Sequence, residues 1–343
     1  MVEVITKSRL AAFNLCQRYH QNTYNLGYRA LTEREDADFG SLFHAGLDAW
    51  WSTYKDAAMP ETADTVPFSG LALSSALSAM ADYRSKAPAV DDAAFAKASV
   101  MMVAYDARWA PTMHELEVIG VEVEFVAMVP GRKRLRVAGK FDKLVRKRID
   151  GSIWFVEHKT TGADLSAGST YWNRLRMDPQ VSIYFGGCRA LGYEPEGCFY
   201  DVIVRPSQRP LKATPEDQRK YTKDGRLYAK QRESDETVEE FRDRLAGLIS
   251  KAPDGYFARG EVVRLESELE ESARDVEATA LQIRELASID HAPRNPGACH
   301  MYGRTCAFFD ACSGVASLDD ETKFRRTENV HEELSIQAGV NGG

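Results

Sequence analysis

Gly139-Lys140-Phe141-Asp142, then Glu157-His158-Lys159-Thr160, then Gln180-x-x-x-Tyr184 is the stretch on which the reading of this chain turns. Residues 134–145 alternate as a half-buried strand, and residues 152–159 read as a second one. Asp150-Gly151 between them is a strong two-residue hairpin signal, because both residues tolerate positive φ. With that loop, Ile149 pairs with Ser152, and Asp142 faces Lys159. Glu157 is then the diagonal neighbour of Asp142 on the same face, roughly 7–8 Å away. Two carboxylates at that spacing reach one hard divalent cation through oxygen. A lysine beside them supplies charge to a reacting phosphate, which is the donor set of metal-dependent phosphodiester cleavage. An exposed hairpin with ordinary ion pairs is the other reading of these strands.

The flanking elements add to this. Asp178 is a good N-cap, Pro179 suits the first helical position, and Gly192 suits the stop, which predicts a helix with Gln180 and Tyr184 on one face. Residues 120–129 precede the hairpin as a strand, and residues 197–204 follow the helix as another. The order strand, strand, strand, helix, strand is that of an α/β core. Upstream, Gly40-x-x-x-His44 lies in an aromatic-rich helical stretch with Phe39, Phe43, Trp50 and Trp51. Alone, His44 reads as a core or capping histidine rather than a ligand.

These pieces, in this order, resemble the PD-(D/E)XK nuclease superfamily in its RecB-type branch. There a Gly-x-x-x-His helix precedes a Gly-x-x-Asp strand, a Glu-x-Lys-Thr strand and a Gln-x-x-x-Tyr helix. The resemblance implies a restriction-endonuclease-like core, a mixed central sheet flanked by helices. It implies that His44, Asp142, Glu157 and the carbonyl of His158 bind Mg²⁺ or Mn²⁺. It makes Asp142, Glu157 and Lys159 catalytic, and it has Gln180 and Tyr184 contact DNA or position the site.

Six cysteines give a separate signal: Cys16, Cys188, Cys198, Cys299, Cys306 and Cys312. Three crowd the C-terminal part as Cys-x6-Cys-x5-Cys, and one lies near the N-terminus. Four thiolates hold an iron–sulfur cluster or a structural zinc, and reduced structural thiols are the alternative. The arrangement resembles the iron–sulfur subgroup of RecB-type nucleases, such as CRISPR adaptation nucleases. That resemblance implies a 4Fe–4S cluster on Cys16, Cys299, Cys306 and Cys312. The six-residue spacer departs from the subgroup's usual two, which weakens Cys299 as a ligand, with His300 as a substitute. Cys188 and Cys198 read as core residues.

The 343 residues carry 44 Lys and Arg against 51 Asp and Glu, a net charge of −7. Local charge matters more than this total for a nucleic-acid partner. Residues 132–148 hold nine basic side chains against Asp142 alone, and residues 205–232 hold nine against three acids. Tyr221 and Tyr228 interleave in the second stretch. Basic groups there track phosphates while aromatic rings stack on unpaired bases, so Arg219, Lys220, Lys223 and Arg226 are candidate DNA contacts. A solvated loop is the competing account.

The organisation expected is an N-terminal helical portion (1–115) carrying Cys16 and His44, a nuclease core (116–205) and a basic arm (206–235). C-terminal helices with the cysteine cluster (236–315) and a flexible tail (316–343) complete it. Helices are predicted over 8–19, 39–54, 72–83, 93–110, 237–250 and 264–288, with a linker at 60–67. No apolar run reaches membrane length and no export signal shows, which points to a cytoplasmic protein of a bacterial cell or phage-infected host. The function implied is a metal-dependent DNA exonuclease acting at single-stranded ends. A double-strand-specific ring is a variant of it, and its partners are DNA and either further copies of the chain or recombination or CRISPR proteins. The alternatives are a non-catalytic iron–sulfur DNA-end binder and a zinc-stabilised nuclease.

Overall fold

In the computed structural model, the described residues are 3–31, 35–57, 66–132, 135–166, 168–289, 291–301, 304–332 and 334. Strand β1 (Glu3–Thr6) leads into α1 (Lys7–Leu15) and α2 (Gln17–His20), then β2 (Tyr28–Ala30). Three long helices follow, α3 (Glu35–Asp56), α4 (Val66–Lys86) and α5 (Asp92–Trp109). The core elements are β3 (Leu116–Met128), β4 (Leu135–Lys147), β5 (Ile153–Thr161), α6 (Thr170–Leu175), α7 (Pro179–Ala190) and β6 (Pro195–Val204). After the basic arm come α8 (Val238–Lys251), β7 (Phe257–Val262) and α9 (Glu266–Ser288). The last pieces are β8 (His300–Met301), β9 (Arg304–Thr305), α10 (Phe309–Ser313) and β10 (Phe324–Arg326).

The main sheet has six strands and is mixed. β3 lies antiparallel along one edge of β4. The other edge of β4 is shared: β1 pairs parallel with residues 135–138, and β5 pairs antiparallel with residues 143–146. β6 then runs parallel to β5, and β7 antiparallel to β6. Each face carries its own core. One packs α3, α4, α5 and α8 through Trp50, Trp51, Tyr105, Phe241 and Phe257. The other packs α1, α7 and α9 through Phe13, Phe125, Phe141, Phe155 and Ile283. β1 and β7 carry no alternating apolar run long enough to read from sequence, and they form because neighbouring strands offer open edges.

Three sequence expectations change. The β4–β5 hairpin has a longer turn, so Lys143 pairs with Val156 and the register shifts by two. The cause is local. Lys147 N–H bonds the Ser152 carbonyl, Asp150 accepts from the Ser152 backbone and hydroxyl, and Gly151 takes a φ of 72°. An even shift leaves every side chain on its original face. The helix expected over 8–19 breaks at Cys16, which is extended at φ −162° and ψ 118°. The tail expected to be loose from Ser313 is docked in part. Phe324–Arg326 pairs antiparallel with Tyr28–Ala30, and buried Phe324 stacks on Phe308. Residues 335–343 and most of the 60–67 linker lie outside the described residues.

On the helix-rich face a row of polar groups crosses three strands. His158 on β5 is level with Asp201 on β6, and Asp201 is level with Arg259 on β7. Asp201 is fully buried and accepts from Tyr105 Oη at 2.7 Å and Arg259 Nη2 at 2.8 Å. Burial alone would raise its carboxyl, but Arg259 and the neighbouring donors hold it well below the ordinary range. Arg259 also lies over the Trp109 ring at 3.9 Å. Removing one partner of such a pair leaves an uncompensated buried charge. Arg259→Leu should therefore cost about 3–5 kcal/mol, seen as a lower denaturant midpoint at unchanged slope, and Asp201→Leu added to it should recover part of the loss.

Candidate active site

The site forms where β4 changes neighbours. Between Ala138, paired with Thr6, and Lys143, paired with Val156, the edge of β4 opens toward α7. Tyr184 reaches into this gap and donates its hydroxyl to the Lys140 carbonyl at 2.8 Å. Gly139 is required there, because a Cβ would stand within about 3 Å of the Phe125 and Tyr184 rings. Asp142 spans the same gap, its Oδ2 accepting the backbone N–H of His158 at 2.6 Å.

Glu157 is almost fully buried. Its Oε1 pairs with the Lys159 ammonium and accepts from Gln180 Nε2 at 2.6 Å. Gln180 Nε2 also bonds Tyr184 Oη at 3.0 Å. Glu157 Oε2 is buried with no hydrogen-bond partner among the described residues. Burial, then the charge of Asp142, pushes the Glu157 carboxyl above its ordinary range, against the pull of Lys159 and Gln180. Burial works to lower the Lys159 ammonium, but Glu157 and Asp142 reverse this and hold it above the usual lysine range.

His44 arrives from the opposite side on α3. Gly40, one turn earlier, packs so close to β5 that a Cβ would stand 3.2 Å from Thr160 Oγ1. That approach brings the His44 ring to 6.3 Å from the His158 ring. Burial, then His158, lowers the His44 imidazole to about 4, with Asp48 opposing. It is neutral at ordinary pH, with a lone pair free to ligate. Asp48, one turn on, pairs with fully buried Lys143 and fastens α3 to β4.

The donor set fits a hard divalent cation: two carboxylates, one with an unused buried oxygen, a neutral imidazole and the His158 carbonyl nearby. Among the described residues, however, no three or more His, Cys, Asp and Glu side chains stand in a metal-holding arrangement as placed. The carboxylates spend oxygens on Lys159, Gln180 and the His158 N–H instead. Lys7, Tyr171, Arg174 and Asp178 also surround Glu157 and Lys159. The sequence reading missed Lys7, Tyr171 and Arg174 as site neighbours, since they come from elements far apart in the chain.

Cys16, Cys299, Cys306 and Cys312 line one cavity of about 30 Å³ with Leu15, Tyr19, Asn295 and Phe308. All four are free thiols. The break at Cys16 is fixed from the other end of the chain. Arg18 donates to the Ala292 carbonyl, its N–H bonds Pro293, and Asn295 donates to the Leu15 carbonyl. Burial, then neighbouring Cys306, raises the Cys312 thiol. His300 instead bonds Thr305 and packs on Phe309. Cys188 and Cys198 are fully buried in the core.

The chain enters the basic arm from the end of β6, where the Arg205 N–H bonds the Thr161 carbonyl of β5. Arg219 is spent inside it, donating to the Thr214 and Glu233 carbonyls. Lys220, Lys223 and Arg226 are exposed around the turn at Gly225, with Tyr221 and Tyr228 each half exposed. No helix among the described residues is long and apolar enough to cross a membrane.

No curated protein matches the chain. A solved structure from Eubacterium rectale, described as a "putative exonuclease", aligns with a TM-score of 0.49 at 12% identity, covering 99% of this chain and 94% of that one. Another, of a protein called SSO0001, aligns with a TM-score of 0.27 at 12% identity, covering 72% and 85%. Residues 4–313 match the family model of the PD-(D/E)XK nuclease superfamily, so the chain belongs to that superfamily.

Proposed function

We propose that this protein is a RecB-type, Mg²⁺- or Mn²⁺-dependent DNA exonuclease that acts at single-stranded ends. The observation that carries this is the convergence of His44, Asp142, Glu157 and Lys159, braced by Gln180 and Tyr184, on one end of the sheet. His44, Asp142, Glu157 and the His158 carbonyl hold the metal ion. When bound, that ion activates water and neutralises charge on the scissile phosphate. Lys159 stabilises developing negative charge, and Gln180 keeps Glu157 oriented. The exposed Lys220, Lys223 and Arg226 track phosphates of the incoming strand, with Tyr221 and Tyr228 as stacking surfaces for unpaired bases.

The experiment is digestion of end-labelled single- and double-stranded DNA, with either end blocked, in Mg²⁺ and Mn²⁺. Wild-type protein should shorten single strands from a free end. Asp142→Ala and Glu157→Ala should abolish cleavage with the fold retained, and Lys159→Ala should slow it by roughly 10²–10³. Near-wild-type cleavage by the Asp142 or Glu157 variant overturns the assignment.

The four converging cysteines are read as the ligands of a structural 4Fe–4S cluster. A structural zinc on the same four thiols is the second reading, since four cysteines lining one cavity suit either centre. Either centre ties the first helix to the C-terminal part and restricts the unfolded chain. Substituting Cys16, Cys299, Cys306 or Cys312 by Ala should lower both metal content and melting temperature, while Cys188→Ala should leave metal content unchanged. Iron and sulfide analysis of anaerobically purified protein should give about four irons per chain; one zinc and no sulfide replaces the cluster reading.

A further inference from the structure

We propose that Lys7 is a second phosphate-binding cation of the active site, contacting the DNA strand beside the scissile phosphate. This rests on the nuclease reading above and adds a substrate contact to it. The placement follows from the sheet. β1 ends at Thr6, which pairs with Ala138, so Lys7 emerges level with the Gly139–Asp142 gap. Thr6 then caps α1, its hydroxyl accepting the Arg9 N–H, which fixes Lys7 at the first helical position. From there its ammonium lies within electrostatic reach of Asp178, Glu157, Lys159 and Arg174.

What distinguishes Lys7 from Lys159 is its lack of a committed partner. Lys159 is paired with Glu157. Among the described residues no hydrogen bond or ion pair is made by the Lys7 ammonium. The nearby carboxylates already accept hydrogen bonds from other groups, Asp178 on both oxygens and Glu157 on Oε1. Asp178 gives Oδ1 to the Gln180 N–H and Oδ2 to the Tyr200 hydroxyl, and Glu157 gives Oε1 to Lys159 and Gln180. Lys7 is half-buried, and burial draws its ammonium below the ordinary lysine range. A partly desolvated cation without an ion-pair partner gains more from an incoming anion than a solvated one, because much of its desolvation cost is already met. Arg174 on α6 is exposed and lies on the same side. α6 itself is held down over the sheet, since Gly260 leaves room for Trp172 where a Cβ would stand 2.7 Å from the indole. Lys7, Lys159 and Arg174 thus form a positive rim on the α7 side of the carboxylates. A DNA strand held between Lys7 and Lys159 would present its scissile phosphate to Glu157 and Asp142 and the adjacent phosphate to Lys7.

The test measures binding apart from turnover. Affinity for single-stranded DNA is read against salt in the Asp142→Asn background, and cleavage kinetics in the otherwise wild-type chain. Lys7→Gln should weaken binding roughly tenfold or more and reduce the salt slope by about 0.7, the share of one single-strand phosphate contact. In cleavage it should raise KM for DNA, leave the Mn²⁺ concentration dependence unchanged, and be largely rescued by Lys7→Arg. An unchanged salt slope with a lowered melting temperature makes Lys7 a structural residue and overturns the proposal. A shifted Mn²⁺ dependence with unchanged DNA affinity also overturns it. If the Asp142→Asn chain still cleaves, the active-site reading fails by itself, while the salt slope still decides whether Lys7 meets DNA.

Discussion

The site depends on one handover of hydrogen bonds along β4. β1 holds the first part of its edge and β5 the second, and the residues between them look for partners elsewhere. Tyr184 supplies one to the Lys140 carbonyl, and Asp142 takes the His158 N–H across the gap. A buried backbone group left unpaired is costly, so these side-chain bonds fix α7 against the strand. Because α7 is fixed, Gln180 lies where it can grip Glu157. Gly139 makes the arrangement possible by leaving room for two aromatic rings. The Asp142 and Glu157 carboxylates are thus placed by the same local defect in the sheet that interrupts its ladder.

Alternate residues of β5 face two different electrostatic worlds. On one side His158 adjoins Asp201, whose charge is answered by Arg259 and Tyr105. His158 Nδ1 stands 3.4 Å from Asp201 without good hydrogen-bond alignment. On the other side Glu157 has the Asp142 carboxylate nearby, opposed by Lys159 and Gln180 with Lys7 also in reach, and like Asp201 it keeps one oxygen without a hydrogen-bond partner among the described residues. The sheet's pleat separates the two by a single residue.

The cysteine cavity closes the chain on itself. Cys16 breaks the N-terminal helix, and the strip around Ala292–Asn295 bonds to the residues on both sides of that break. The pairing of Phe324–Arg326 with Tyr28–Ala30 extends the same junction. The core is thereby bracketed by segments far apart in the chain, and folding bears the loop-closure cost of this bracket, which grows only slowly with loop length.

The sequence by itself determined the ordered motifs, because each rests on local chemistry. Asp178-Pro179 starts a helix and Gly192 stops it wherever they stand, and alternation marks β4 and β5. It also set Cys299, Cys306 and Cys312 close together in the chain, while only the fold brings Cys16 into the same cavity. Tertiary structure decided the rest. The turn at Asp150-Gly151 could be read, but the bonds of Ser152 and Lys147 set its length and hence the register. β1 and β7 have little pattern of their own and exist because an open strand edge recruits them. Lys7 and Arg259 look like any surface cation in the sequence. One becomes a neighbour of Glu157 and the other the buried counterion of Asp201 only through pairings across distant elements, and charge environment is a property of three-dimensional proximity that no local pattern encodes.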